Sequence, residues 1–127
     1  MTYEETLHYL YTSIPVFQHS GASAYKPGLG TSIALDDYLG NPHKAYKTIH
    51  VAGTNGKGSV SHLLAAILRQ SGFKVGLYTS PHLVDFRERI RVNGKKISQD
   101  YVVDFVERHR SFFEPLHPSF FELTSSM

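Results

Sequence analysis

The sequence predicts an α/β fold, a P-loop three-layer α/β/α domain with a parallel sheet, on three observations. First, Thr48-Ile49-His50-Val51-Ala52 is a short apolar, β-leaning run that stops at Gly53. Second, the glycine-rich loop Gly53-Thr54-Asn55-Gly56-Lys57-Gly58-Ser59 leads into Val60, Leu63, Leu64, Ile67 and Leu68, the stripe of a helix packed on a sheet. Third, Gly72 stands where a left-handed C-cap belongs, and Lys74-Val75-Gly76-Leu77-Tyr78-Thr79 follows as a second buried strand. Strand, loop, helix and strand within about 30 residues make one βαβ unit with a parallel sheet.

The flanking elements follow from local signals. Thr2 with Glu5 is a capping box, and Tyr3, Leu7, Leu10, Tyr11 and Ile14 recur at helical spacing until Pro15 ends the helix. Residues 18–31, with Pro27-Gly28 and Gly30, read as a loop. A short helix is expected from Ser32 to Leu39, closed by Gly40-Asn41-Pro42. Ile90 to Ile97 alternates around Asn93-Gly94, a two-residue hairpin signal. Ser98 then caps a helix with Val102, Phe105, Val106, Phe112 and Phe113 on its apolar face, which Pro115 and Pro118 close. Phe120 to Met127 begins a further element and stops, so the chain reads as the N-terminal piece of something larger.

Composition bounds the functions available. The chain has 127 residues, one domain at most, and 41% hydrophobic residues supply a core, which excludes wholesale disorder. The absence of cysteine excludes disulfides and cysteine metal sites and fits a reducing compartment. The N-terminus lacks the basic start and apolar run of a signal peptide, and no stretch approaches the ~18 apolar residues of a membrane span. The expected location is therefore the cytoplasm, with no membrane partner. Thirteen basic against eleven acidic residues give no electrostatic case for nucleic acid. The run Arg87, Arg89, Arg91, Lys95 and Lys96, interrupted by Glu88, reads as a solvated strand face of the hairpin.

The chemistry sits in the loop. Gly53, Gly56 and Gly58 let backbone N–H groups converge on an anion, a helix N-terminus adds its dipole, and Lys57 neutralises β- and γ-phosphates. The competing reading is a glycine-rich turn with an incidental lysine, but strand before and helix after is the context the motif requires. The loop departs from G-x-x-x-x-G-K-[ST]: Val51 replaces the first glycine, and Gly58 takes the place of the hydroxyl that holds magnesium. That hydroxyl comes from Ser59 or from elsewhere.

Val51 to Ser59, followed by Tyr78-Thr79-Ser80-Pro81-His82-Leu83, resembles the folylpolyglutamate synthase/dihydrofolate synthase family of the Mur ligase superfamily. The similarity runs from about Leu29 to the C-terminus and includes Arg87 to Gly94 and Phe121-Glu122-Leu123-Thr124. The resemblance implies that residues 1–127 are the incomplete N-terminal part of a Mur-ligase-like ATP-binding domain, with the remainder of that domain and a C-terminal domain absent. It implies an ATP- and Mg2+-dependent amide ligase of folate biosynthesis and one-carbon metabolism. There a carboxylate of dihydropteroate or a (tetrahydro)folate takes the γ-phosphate, and the amine of L-glutamate attacks the acyl phosphate. Lys57 would be the catalytic cation, Gly53, Thr54, Asn55, Gly56, Lys57, Gly58 and Ser59 the nucleotide-binding set, and Ser80 a metal ligand.

Ser80 also follows a strand's C-terminal end, where parallel sheets bind ligands, although a cap before Pro81 would account for it too. His82 reads as a loop histidine packed beside Pro81 rather than a ligand. The family's substrate-binding positions align with Gly28, Leu29 and Gly30 and with Ser119, Phe120, Phe121 and Glu122. Aromatics stack on a pterin and a carboxylate accepts from its N–H groups, while core packing is the competing reading for both phenylalanines. An anionic polyglutamate tail is a more economical partner than nucleic acid for some of the cations near residue 90. The fragment by itself is expected to be inactive, and its exposed sheet to self-associate. From a different class, a stand-alone P-loop nucleotide-binding or regulatory module (NTPase) is the alternative.

Overall fold

The computed structural model describes residues 1–14 and 28–127, so Pro15 and most of the expected early loop lie outside the described residues. The chain forms two compact units, one of Met1–Lys47 with Asp100–Met127 and one of Thr48–Gln99. Among the described residues no helix is long and apolar enough to cross a membrane.

The first unit is helical. α1 (Tyr3–Ser13) starts on the expected capping box: the Thr2 hydroxyl accepts from the Glu5 amide at 3.1 Å, and Glu5 accepts from the Thr2 amide at 2.7 Å. α2 (Gly30–Tyr38) begins two residues before the expected start, and a 3-10 turn follows at Pro42–Ala45. Two later helices complete the unit, α4 (Gln99–Phe113) and α5 (Phe120–Ser126), joined by a 3-10 turn at Glu114–Leu116. Leu10, Leu35, Val102, Val106, Phe113 and Leu123 make the core, each at most 2% exposed. Burying such side chains stabilises by about 1.5–3 kcal/mol apiece. The buried Thr6 and Thr124 hydroxyls donate to the carbonyls of Thr2 and Phe120, both at 2.8 Å, so neither adds an unmet polar group. Tyr9 donates to Glu114 at 2.8 Å; burial first, then that carboxylate, pushes its phenol up to about 12.

The second unit carries the loop, α3 (Lys57–Gln70) and a three-stranded antiparallel sheet in the order β1 (Gly76–Tyr78), β2 (Ile90–Val92), β3 (Lys95–Lys96). α3 ends as expected: Phe73 N–H reaches the Leu68 carbonyl and Gly72 N–H the Arg69 carbonyl, with Gly72 at φ 95°. The hairpin turns on Asn93 and Gly94, both with φ > 0 (51° and 80°), the backbone that two-residue hairpins demand.

Two expectations are corrected here. The α/β class holds, but residues 48–52 form no strand, and β1 pairs antiparallel with β2, Leu77 opposite Arg91. A hairpin closes through a short loop, whereas parallel pairing needs a long crossover, so among the described residues the local partner takes the β1 edge. The α3 stripe consequently lacks a full cover. A helix of 14 residues is about 21 Å long and a three-residue strand about 10 Å, so Leu63 and Ile67 remain 64% and 60% exposed.

The basic run is also not one solvated strand face. Phe86–Arg89 is a 3-10 turn, Arg89 is 3% exposed, and Arg87 pairs with Asp85 at 3.0 Å. Asp85 caps that turn and also pairs with Lys96 at 2.9 Å. Burial alone would raise its carboxyl, but the Lys96 ammonium and the Arg87 amide and guanidinium hold it well below the usual carboxylate range. A carboxyl depressed in the fold contributes stability above its unfolded value of about 4 and loses it as pH falls through the folded value. Asp85→Ala is expected to cost about 2 kcal/mol at neutral pH, for the cap and the ion pairs together. It should also flatten the loss of stability below about pH 4, which thermal melts across pH 2–7 would register.

Candidate active site

Gly56, in the left-handed region at φ 76°, is the N-cap of α3, and no side chain caps that end. A residue with a Cβ rarely adopts this backbone, which is why the bend into the helix falls on glycine. The first helical bond is Val60 N–H to the Gly56 carbonyl at 3.0 Å. The amides of Lys57, Gly58 and Ser59 therefore point out of the helix end without helical acceptors, alongside the positive end of the dipole. The Lys57 ammonium donates to the Gly53 carbonyl at 2.6 Å and so lies across the loop rather than in solvent. Residues 53–60 are all exposed, open to an anion approaching the helix end.

Ser80 lies two residues beyond β1, exposed, at a cis Ser80–Pro81 bond. Its surroundings are pinned by residues that the motif does not contain. Thr79 N–H donates to the Arg89 carbonyl at 2.9 Å. The Glu88 carboxylate accepts from the amides of Leu83, Val84 and Asp85 at 3.1, 3.0 and 2.6 Å. Arg89 Nε donates to His82 Nδ1 at 2.8 Å. Burial first, then the Arg89 charge, lowers the His82 imidazole below its ordinary value, and its Nδ1 lone pair is already used. Sequence reasoning missed Glu88 and Arg89. Asp85 with Glu88 three residues later has the spacing of a capping box, and that was the available signal.

Among the described residues no group of three or more His, Cys, Asp or Glu side chains could hold a metal ion. Magnesium is less demanding of the protein than this, since it keeps water and phosphate oxygens and takes one or two protein oxygens. The exposed hydroxyls of Ser80 and Ser59 fit that donor set; His82 does not.

The other aligned positions fall in the first unit. Gly28, Leu29 and Gly30 are exposed at the start of α2, Leu29 at 70%. Ser119 and Glu122 form the capping box of α5, Ser119 Oγ accepting from the Glu122 amide at 3.2 Å and Glu122 from the Ser119 amide at 3.0 Å. Phe120 is 3% exposed and stacks on Tyr11 with ring centroids 5.7 Å apart, so it is core. Phe121, next in sequence, is 58% exposed. α2 packs on α5, which brings the two aligned segments onto neighbouring helices.

No family model matches the chain. The dihydrofolate synthase/folylpolyglutamate synthase of Bacillus subtilis is 43% identical over 91 residues, covering 72% of this chain and 21% of that protein. The solved folylpolyglutamate synthase of Thermotoga maritima matches with a TM-score of 0.83 at 44% identity, over 98% of this chain and 28% of that one. A folylpolyglutamate synthase complex with AMPPCP and folate matches with a TM-score of 0.81 at 32% identity, over 99% of this chain and 31% of that one. The chain spans less than a third of the length of each of these relatives.

Proposed function

The chain belongs to the folylpolyglutamate synthase/dihydrofolate synthase family, and on that premise we propose that it supplies the phosphate-binding side of an ATP-dependent amide ligase. That enzyme joins L-glutamate to dihydropteroate or a (tetrahydro)folate through an acyl phosphate, in the cytoplasm. Residues 1–127 are the N-terminal part of its ATP-binding domain, and taken alone they lack activity. The observation that carries the reading is the uncapped start of α3 with Lys57 lying across the glycine loop. It is supported by the relative whose structure holds AMPPCP and folate.

In this mechanism the amides of Lys57, Gly58 and Ser59 hold the phosphate chain, joined by the loop amides of Gly53 to Gly56. Lys57 swings from the Gly53 carbonyl to the transferring phosphoryl group and offsets the charge that spreads over its oxygens. Magnesium, if held beside the phosphates by the Ser80 hydroxyl, would supply positive charge to neutralise them. The Ser80 hydroxyl provides a protein oxygen for it, held in place by the bonds that Glu88 and Arg89 make to the following segment. Leu29 and Phe121, exposed on packed helices, offer apolar surface to a pterin, and Glu122 a carboxylate to its N–H groups.

The intact enzyme tests the reading: ADP release with dihydropteroate or a folate should depend on L-glutamate. Release that ignores glutamate would favour a simple NTPase. Ser80→Ala is expected to raise the magnesium concentration needed for half-maximal rate by about tenfold, and excess metal should restore part of the rate. An unchanged magnesium curve for Ser80→Ala beside a strong shift for Ser59→Ala would move the ligand role to Ser59.

A further inference from the structure

The near-neutral charge of the chain conceals a sharp division. Residues 48–99 carry eight lysines and arginines against only two carboxylates, Asp85 and Glu88. Both carboxylates are committed, Asp85 to Arg87 and Lys96, and Glu88 to three backbone amides. Within this basic unit an open hollow of about 360 Å³ lies between α3 and the hairpin. His62, Ala66 and Arg69 from α3 line it, with Leu77, Arg91 and Gly94 from the sheet and its turn.

Arg91 stands opposite Leu77 across the ladder, and its Nε is buried without a hydrogen-bond partner. A buried guanidinium N–H left unmet is costly, and nothing acidic in the unit remains to meet it. Arg69 reaches the same hollow past the turn. A Cβ on Gly94 would collide with the Arg69 guanidinium, so glycine at the turn also leaves room for this second cation. The side chains of Arg91 and Arg69 line one hollow, with an apolar wall between them. Such an arrangement repels itself when empty and matches the fork geometry by which arginine binds oxyanions.

We propose that this hollow between α3 and the hairpin binds a small organic oxyanion, a carboxylate or phosphate on an apolar body, through Arg91 and Arg69. The volume lies at the small end of ligand pockets, which favours a small molecule over a polymer backbone. The site lies along the body of α3. Arg69 is twelve residues beyond Lys57, about 18 Å along the helix, so it needs no nucleotide in the glycine loop and stands independently of the ligase reading.

The test is amide chemical-shift titration of the intact protein with phenyl phosphate, benzoate and, as a neutral control, benzyl alcohol. Saturable shifts at Ala65, Ala66 and Gly94 are expected with phenyl phosphate. If benzoate produces them too, any oxyanion serves; if it does not, the site takes phosphate. Arg91→Gln and Arg69→Gln should each weaken binding about tenfold, and Arg91→Lys should fail to restore it because lysine lacks the planar guanidinium fork. Arg69 is exposed, so its replacement leaves the fold intact and keeps the test decisive if Arg91 variants fold poorly. Lys57→Ala should leave these shifts unchanged. Shifts that never saturate, that benzyl alcohol reproduces, or that vanish in Lys57→Ala would overturn the proposal.

Discussion

Lys57→Ala is expected to lower turnover of the intact ligase by on the order of 10²-fold or more, equivalent to about 2.7 kcal/mol of transition-state stabilisation. The ammonium is the cationic side chain of the glycine loop, and it donates at 2.6 Å to the loop's own Gly53 carbonyl. It is thereby kept at the loop before any phosphate arrives, and exchanges the carbonyl for the phosphoryl oxygens. The amides at the α3 N-terminus survive the substitution, so nucleotide affinity should fall much less than kcat. Excess magnesium should not compensate, because the lost charge acts on the phosphoryl oxygens and not through the metal. That behaviour separates Lys57 from Ser80. A Lys57→Ala enzyme with kcat within threefold of the unaltered protein would remove lysine from the catalytic account.

The contrast between these residues and their neighbours explains what the sequence could disclose. Signals that act over three to five residues were legible: the Thr2–Glu5 box, Gly72 after α3, the Asn93–Gly94 turn and the glycine loop all have the predicted local geometry. Each is decided by a backbone angle or a cap that does not wait for tertiary packing. The strand expected at 48–52 does not form, because strand pairing depends on tertiary neighbours that a short apolar run does not specify. Phe120 and Phe121 illustrate the same limit in the site. Adjacent, chemically identical residues differ because one faces Tyr11 in the core and the other faces out, a distinction that only the placement of α5 creates. Arg89 was unreadable for a related reason. In a row of cations at alternating positions it looked solvated, yet a 3-10 turn at Phe86–Arg89 rotates it inward. The charge imbalance of residues 48–99 is likewise hidden in the total, because acidic residues elsewhere cancel it.

Arg89→Ala should therefore be the most damaging single change near Ser80 that touches neither nucleotide nor metal. Its side chain is 3% exposed, and Nε donates to His82 Nδ1 at 2.8 Å while the ring of His82 meets Phe86 edge-on at 6.1 Å. Truncation removes a hydrogen bond from a charged donor and leaves a void where the buried side chain stood, together worth about 3 kcal/mol. In the 127-residue chain that corresponds to a fall in Tm on the order of 10 °C, and in the longer intact enzyme to less. Arg89→Met keeps most of the volume but no donor, and should lose about half as much; the difference between the two isolates the hydrogen bond from the packing. The functional consequence follows from geometry. His82 is two residues from Ser80, and once it is released the hydroxyl loses its fixed position, so the magnesium requirement should rise in Arg89→Ala as it does in Ser80→Ala. Excess magnesium should relieve both variants, whereas only Arg89→Ala should melt early. A Tm within a degree of the unaltered protein would show that Arg89 does not hold this segment, and an unshifted magnesium curve would show that the segment does not position Ser80.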